Sequence, residues 1–261
     1  MFEILSAIAL TASASIVVAF LSYALARTSL GRLTVAGVLG GWFALVVAMG
    51  ATGALDPARG IGVPGLGLTV ALPVAVLAVA FFSAASIRNA MLAIPMPAMV
   101  AVNAIRILGV IFLILQAAGK LPAPFAPSAG WGDIFIGVTA LPLAWAMLRF
   151  GPRARALALI WNTIGIADLV NAVALGALSA PGPLQVFAGP PSSALMTTLP
   201  WLLIPRFLVP CLMFVHVVIF YRLAKTEAAA PAHSWLNSGA ARRNAAVIAS
   251  AAKQSRGTAG V

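Results

Sequence analysis

The chain has 261 residues, of which 62% are hydrophobic and only 8% charged. A water-soluble domain is about one quarter charged, so there is too little polar material here to wet a core of this size. The formal net charge of +11 does not point to nucleic acid either. Four basic residues sit in a polar tail (Arg242, Arg243, Lys253, Arg256) and most of the others flank apolar runs, instead of gathering on one face with aromatics between them. The composition predicts an all-α protein whose main partner is the lipid bilayer.

The first apolar run, Ile4–Ala26, is uncharged and too long for the apolar region of a cleaved signal, which is about 7–15 residues. It lacks a basic leader, and Glu3 precedes it, so it reads as a retained span. Leu33–Leu55 follows between Arg32 and Asp56, and Val63–Phe82 comes next. Four further segments, Ala93–Ala117, Trp131–Leu148, Ala156–Leu178 and Thr198–Tyr221, are each long enough to approach the ~20 residues that cross a bilayer. About seven spans are therefore expected over residues 1–222. Residues 223–261 are expected to form a polar, unstructured cytoplasmic tail. Within it, Arg242–Arg256 resembles translated intergenic repeats of alphaproteobacterial genomes, the alternative being a basic arm lying on anionic lipid.

Loop charges predict the threading. One set of connections, with the start of the tail, carries Arg27, Arg32, Arg88, Arg149, Arg153, Arg155, Arg222 and Lys225. The opposite set carries Arg59 and Lys120. Basic loops stay in the cytoplasm, which places the N-terminus outside and the C-terminus inside a bacterial inner membrane. The outer connections Leu121–Gly130 and Ser179–Ser193, rich in Pro, Gly and Ala, read as stiff linkers, with a lid folded over the bundle as the alternative. Trp131 and Trp201 read as headgroup anchors at the outer ends of their spans, and Tyr221 as one at the inner end.

Two sequence patterns carry little. Gly60–Gly65 satisfies a dinucleotide-binding glycine pattern, but it contains Pro64 and opens a membrane span where a strand–helix turn is required. Gly37 and Gly41 form a G-x-x-x-G pair that predicts close helix packing. Cys211 alone can build neither an intramolecular disulfide nor a cysteine metal site. No paired histidines for haem, no ligand cluster for zinc and no Schiff-base lysine in the last span are visible, so no cofactor or metal is expected.

Ionisable residues inside a bilayer are costly and face the bundle interior with partners. At 1.5 Å per residue, Arg106, Asp168 and Arg206 come to one depth near the midplane. Asn103 shares a helix face with Arg106, and Trp161 and Asn171 share one with Asp168. Pro200, Pro205 and Pro210 loosen the last span. Two guanidinium groups against one carboxylate suggest a binding place for an anion, although an ion-pair lock between helices explains the same residues. Asp133 is expected more than two turns above Asp168, as a helix-start carboxylate, and His216 near the inner interface. Asn162 and these two are secondary candidates.

The series Gly130-Trp131-Gly132-Asp133, Trp161-Asn162-x-x-Gly165-x-x-Asp168-Leu169 and Leu203-Ile204-Pro205 with Val209-Pro210 resembles a group of bacterial inner-membrane proteins of unknown activity. The resemblance spans residues 100–222 and implies a membrane protein without assigning catalytic roles. The leading functional expectation is binding or transport of a small anionic or amphipathic solute, or of a lipid. A non-catalytic scaffold or accessory subunit, its protein partner open, and a lipid-modifying enzyme are the alternatives.

Overall fold

A computed structural model describes residues 1–56 and 62–228, with the side chains of 62–67 and 226–228 left aside. The Arg59 loop, the first two residues of the Gly60–Gly65 pattern and the tail beyond Ala228 lie outside the described residues. The chain divides into two compact units, Met1–Phe220 and Tyr221–Val261.

Among the described residues the fold is helical, with no strand. In chain order come α1 (Phe2–Leu25), α2 (Ser29–Thr52), α3 (Gly62–Ser83), α4 (Ala85–Ala93) and α5 (Met96–Ala101). A 3₁₀ stretch, Val102–Gly109, joins α5 to α6 (Val110–Ala117). Then follow α7 (Phe125–Phe150), α8 (Arg155–Leu178), a π-helical turn (Ile204–Leu208) and α9 (Val209–Ala228). Among the described residues, five helical runs are long and apolar enough to cross a membrane, or six if the sharply bent α3–α4 pair is one span. One of those runs, Phe125–Leu178, is 54 residues long.

That run is a hairpin. Gly151, at φ 55°, takes a backbone conformation that side-chain-bearing residues rarely adopt, and a 3₁₀ turn over Gly151–Ala154 carries the chain into α8. Asn171 then reaches Ser128, Asp168 lies against Gly132, and Trp161 bonds Thr139. The α8 residue number falls as its α7 partner's rises, so the two helices run antiparallel. Each limb alone is long enough to cross some 30 Å of hydrocarbon.

The same comparison fixes other directions. Phe43 of α2 meets Phe207 while Gly50 meets Leu202, an antiparallel pair with the last segment. Phe81 of α3 meets Phe214 while Thr69 meets Arg206, a parallel pair. Phe112 meets Phe125 and Ile107 lies against Gly137, so the α5–α6 rod runs antiparallel to α7. Phe2 stacks on Trp201 at 5.7 Å, and Lys120 pairs with Glu3, bringing the start of α1 beside the start of the last segment and the end of α6.

The outer surface is far more apolar than that of a soluble protein, over an interior that is itself largely apolar. Large apolar side chains stand outward at helical spacing: Leu68, Leu72, Val76, Val79 and Phe82 on α3, and Trp131, Phe135, Val138, Leu141, Trp145 and Leu148 on α7. The polar side chains Asn103, Arg106, Asn162, Arg206 and His216 are buried. Hydrocarbon outside and polar groups inside is the arrangement a bilayer selects, because only internal partners can satisfy them.

Several sequence expectations change. The segment after α3 is a nine-residue helix, α4, turned 96° from it. Helix α7 begins at Phe125, so most of Leu121–Gly130 is first helical turn and not a linker. Ser179–Ser193 folds back on the end of α8: Val186 and Phe187 N–H donate to Leu178 O, and Ser193 Oγ donates to Gly176 O at 2.6 Å. Trp201 is buried against Phe2, not set at headgroups, because Thr198–Leu203 is a packed turn and the helix starts only at Ile204. Gly37 and Gly41 meet nothing within 4 Å, so that pair brings no helix close.

Candidate functional site

Pro205 cannot donate a ladder bond, and the backbone around it slips: Val209 N–H bonds Ile204 O, five residues back. In the α5–α6 rod an eight-residue 3₁₀ stretch replaces α-helix, far beyond the usual three or four. Both irregular segments border one cavity, lined by Arg106, Gly109 and Asp133 and, from the last segment, by Ile204, Leu208 and Leu212.

Arg106 projects from the 3₁₀ stretch and is 3% exposed. Its Nε donates to Asp133 Oδ1 of α7 at 2.7 Å, and its Nη2 donates to Asp168 Oδ2 of α8. Its Nη1 donates to Gly165 O at 3.1 Å and faces His216 Nε2 of α9 at 3.2 Å. One planar fork thus ties together four chain segments, as guanidinium geometry permits and an ammonium would not.

His216 is positioned from its other side. Asn162 Nδ2 donates to His216 O at 3.1 Å, which orients the amide so that Asn162 Oδ1 accepts from His216 Nδ1–H at 2.8 Å. Nε2 is then the bare nitrogen that accepts from Arg106. Trp161 packs its ring on His216, centroids 5.5 Å apart, and its Nε1 donates to Thr139 Oγ1 at 2.9 Å.

Glycines let these groups approach. A Cβ on Gly132 would overlap the Asp168 carboxylate, one on Gly165 the His216 ring, one on Gly137 the backbone of Ile107, and one on Gly109 the Cβ of Asp133. Gly130, Gly132 and Gly165 belong to the motif series quoted above, so the signal lay in the sequence. Their role as clearance for another helix's side chain did not.

The structure gathers Arg106, Asp168, Trp161, Asp133, Asn162 and His216, and keeps the remaining candidates apart. Asn103 is buried but turns its Nδ2 to Met99 O and Val100 O of its own helix. Asn171 is exposed and bonds Ser128 Oγ at 2.8 Å. Arg206 lies on the far side of its helix, donating to Thr69 Oγ1 of α3. The depth estimates erred because α7 starts six residues before Trp131 and the last helix six after Thr198. Asp133 therefore lies a turn and a half deeper in its helix than expected, and the residue of the last helix that meets Arg106 is His216, not Arg206.

The expected surplus of positive charge is absent from this centre, where one guanidinium faces two carboxylates. The cavity beside Arg106 and Asp133 measures about 30 Å³, with Leu10, Phe112, Leu169, Leu208 and Leu212 among its walls. That is room for about one water molecule. A wider groove of about 300 Å³ lies between α2 and α3, lined by Val38, Trp42, Val46, Leu72 and Val76, with Arg206 and Thr69 along it. Among the described residues no group of three or more His, Cys, Asp or Glu is placed to hold a metal ion.

These features define a helical protein in which several helices long and apolar enough to cross a membrane pack round a buried arginine–carboxylate–imidazole centre. The model of one family, Domain of unknown function (DUF8737), matches residues 63–224, and the chain belongs to that family. The matched stretch contains the whole centre, Arg206 and Thr69. No curated protein and no solved structure matches the chain.

Proposed function

We propose that this is a seven-span protein of a bacterial cytoplasmic membrane, N-terminus outside, that binds or transports a small amphipathic solute with an anionic or polar head. The single observation that carries the solute reading is the α2–α3 groove. Apolar side chains form its walls, and Arg206, a fully buried guanidinium, lies along it with the Thr69 hydroxyl. Such a slot suits a hydrocarbon tail with a carboxylate or phosphate head.

Seven spans follow if α3–α4 counts once and the α7–α8 hairpin twice. The alternating directions support that number, since α2 opposes the last segment and α3 runs with it. Arg27 donates to Asn89 O of α4, which gathers Arg27, Arg88 and the start of α2 at one end, the cytoplasmic end by charge. Cys211 is buried, so single introduced cysteines can map the threading. On intact cells a cysteine replacing Leu184 is labelled by an impermeant maleimide and one replacing Arg153 is not; the reverse pattern overturns the orientation.

The solute reading is tested by native mass spectrometry with oleate as probe. Wild type and Arg206→Lys retain it, while Arg206→Gln loses it at least tenfold. Equal retention by all three, with no uptake by reconstituted vesicles, rejects the reading. Arg106 supports a second one. It bonds Asp133, Asp168, Gly165 and His216 of its own chain, as in a lock that fixes a membrane scaffold, and subunits co-purifying with both Arg206 variants would favour that.

A further inference from the structure

The Arg106 centre has more negative than positive charge, and its surroundings do not correct the imbalance. Arg106 contacts both Asp133 and Asp168. Asp168 Oδ1 also lies against Gly132, the residue before Asp133, so the two carboxylates share one small space. The remaining element at the fork, α9, offers His216. Its Nδ1–H faces Asn162 and its Nε2 faces a guanidinium N–H, an arrangement only the uncharged ring can satisfy. From the π-helical turn, Arg206 is directed to Thr69 on α3. Helix α1 presents Leu10 to the adjoining cavity, and α6 presents Phe112.

An unbalanced charge inside a bilayer is expensive and is relieved by a proton or a counter-ion. A metal cation needs several oxygen ligands and its own volume. The cavity beside Asp133 holds about 30 Å³, and apart from Arg106, Asp133 and Gly109 its walls are aliphatic and aromatic side chains, so it offers a cation no side-chain oxygen ligands beyond that carboxylate. The side chains of Asp133 and Asp168 are 13% and 10% exposed, enough for a proton to arrive along water. We infer that Asp133 and Asp168 together bind one proton, held between two carboxylates that share the Arg106 guanidinium. The site stands whether or not the groove carries a solute; if it does, the proton is the ion available for coupling.

The test is infrared spectroscopy of the full chain in lipid nanodiscs at neutral pH. The chain has only five acidic residues, so a neutral carboxylic acid gives an isolated carbonyl stretch that moves down in D₂O. Wild type is expected to show one such band. Asp133→Asn and Asp168→Asn each lose it, because the remaining carboxylate then pairs one-to-one with Arg106 and ionises. Asparagine mimics the protonated acid in shape, so both variants should fold. Arg106→Lys keeps the charge count and the band. No band in wild type overturns the inference, as does a band that survives Asp133→Asn together with Asp168→Asn. A band abolished by sodium or potassium ions also overturns it, by making the ligand a metal cation. None of these readouts depends on oleate binding, so this inference and the groove reading can fail separately.

Discussion

Asn162 and His216 hold each other at two points, the amide N–H on the histidine carbonyl at 3.1 Å and the amide oxygen on Nδ1 at 2.8 Å. The double contact sets the histidine tautomer and aims Nε2 at Arg106. The chain has two histidines, so replacing His233 leaves His216 as the only imidazole. Nitrogen-15 NMR of that variant should show a protonated Nδ1 and a bare Nε2. Asn162→Leu should scramble the tautomer and cost about 1–3 kcal/mol, since hydrogen bonds inside membrane proteins contribute roughly 0.6–1.7 kcal/mol each. A spectrum unchanged by Asn162→Leu would refute the positioning role.

Gly132→Ala, Gly137→Ala and Gly165→Ala place a methyl group into the Asp168 carboxylate, the Ile107 backbone and the His216 ring respectively. Overpacking of this kind costs about 1–3 kcal/mol, and more where backbone is the obstacle. Gly37→Ala and Gly41→Ala meet open space and should change stability by no more than about 0.5 kcal/mol. Denaturation midpoints in mild detergent would separate the two sets. If the two sets behave alike, the packing described for α7 and α8 is wrong.

Arg106→Gln strands two carboxylates, and breaking a buried ion pair by removing one partner costs about 3–5 kcal/mol. Asp133→Asn or Asp168→Asn instead leaves a balanced pair, so each should cost less than half as much. The order of the three unfolding free energies is the check. An aspartate variant that is less stable than Arg106→Gln would show that Arg106 is not the hub.

Trp131 and Trp145 are 64% and 62% exposed, whereas Trp161 and Trp201 are 5% and 2% exposed. In single-tryptophan variants reconstituted into bilayers, brominated acyl chains should quench the first two strongly and the last two weakly. Aqueous iodide should quench Trp145 little, because lipid covers that face. Strong iodide quenching of Trp145 would argue against the membrane assignment of α7.

The sequence by itself determined the class of fold. Apolar runs such as Ile4–Ala26 are long enough to cross hydrocarbon and too poor in charge to be wetted, and that argument needs no partner helix. It also selected Arg106 and Asp168 as residues that must face inward, because isolated charges in lipid have nowhere else to turn, while Asn171, placed on the Asp168 face by the same spacing, is exposed. Depth counted along a straight helix could not pair them. Where α7 starts, and how far Pro205 displaces the last helix, depend on packing against other segments.

Only the tertiary structure decided that Asp133 joins Asp168 on one guanidinium, that His216 takes the place expected of Arg206, and that Gly132 and Gly165 give the clearance. Charge balance at a site is a property of which helices touch. The one-dimensional pattern records each helix's faces and leaves open which face meets which neighbour.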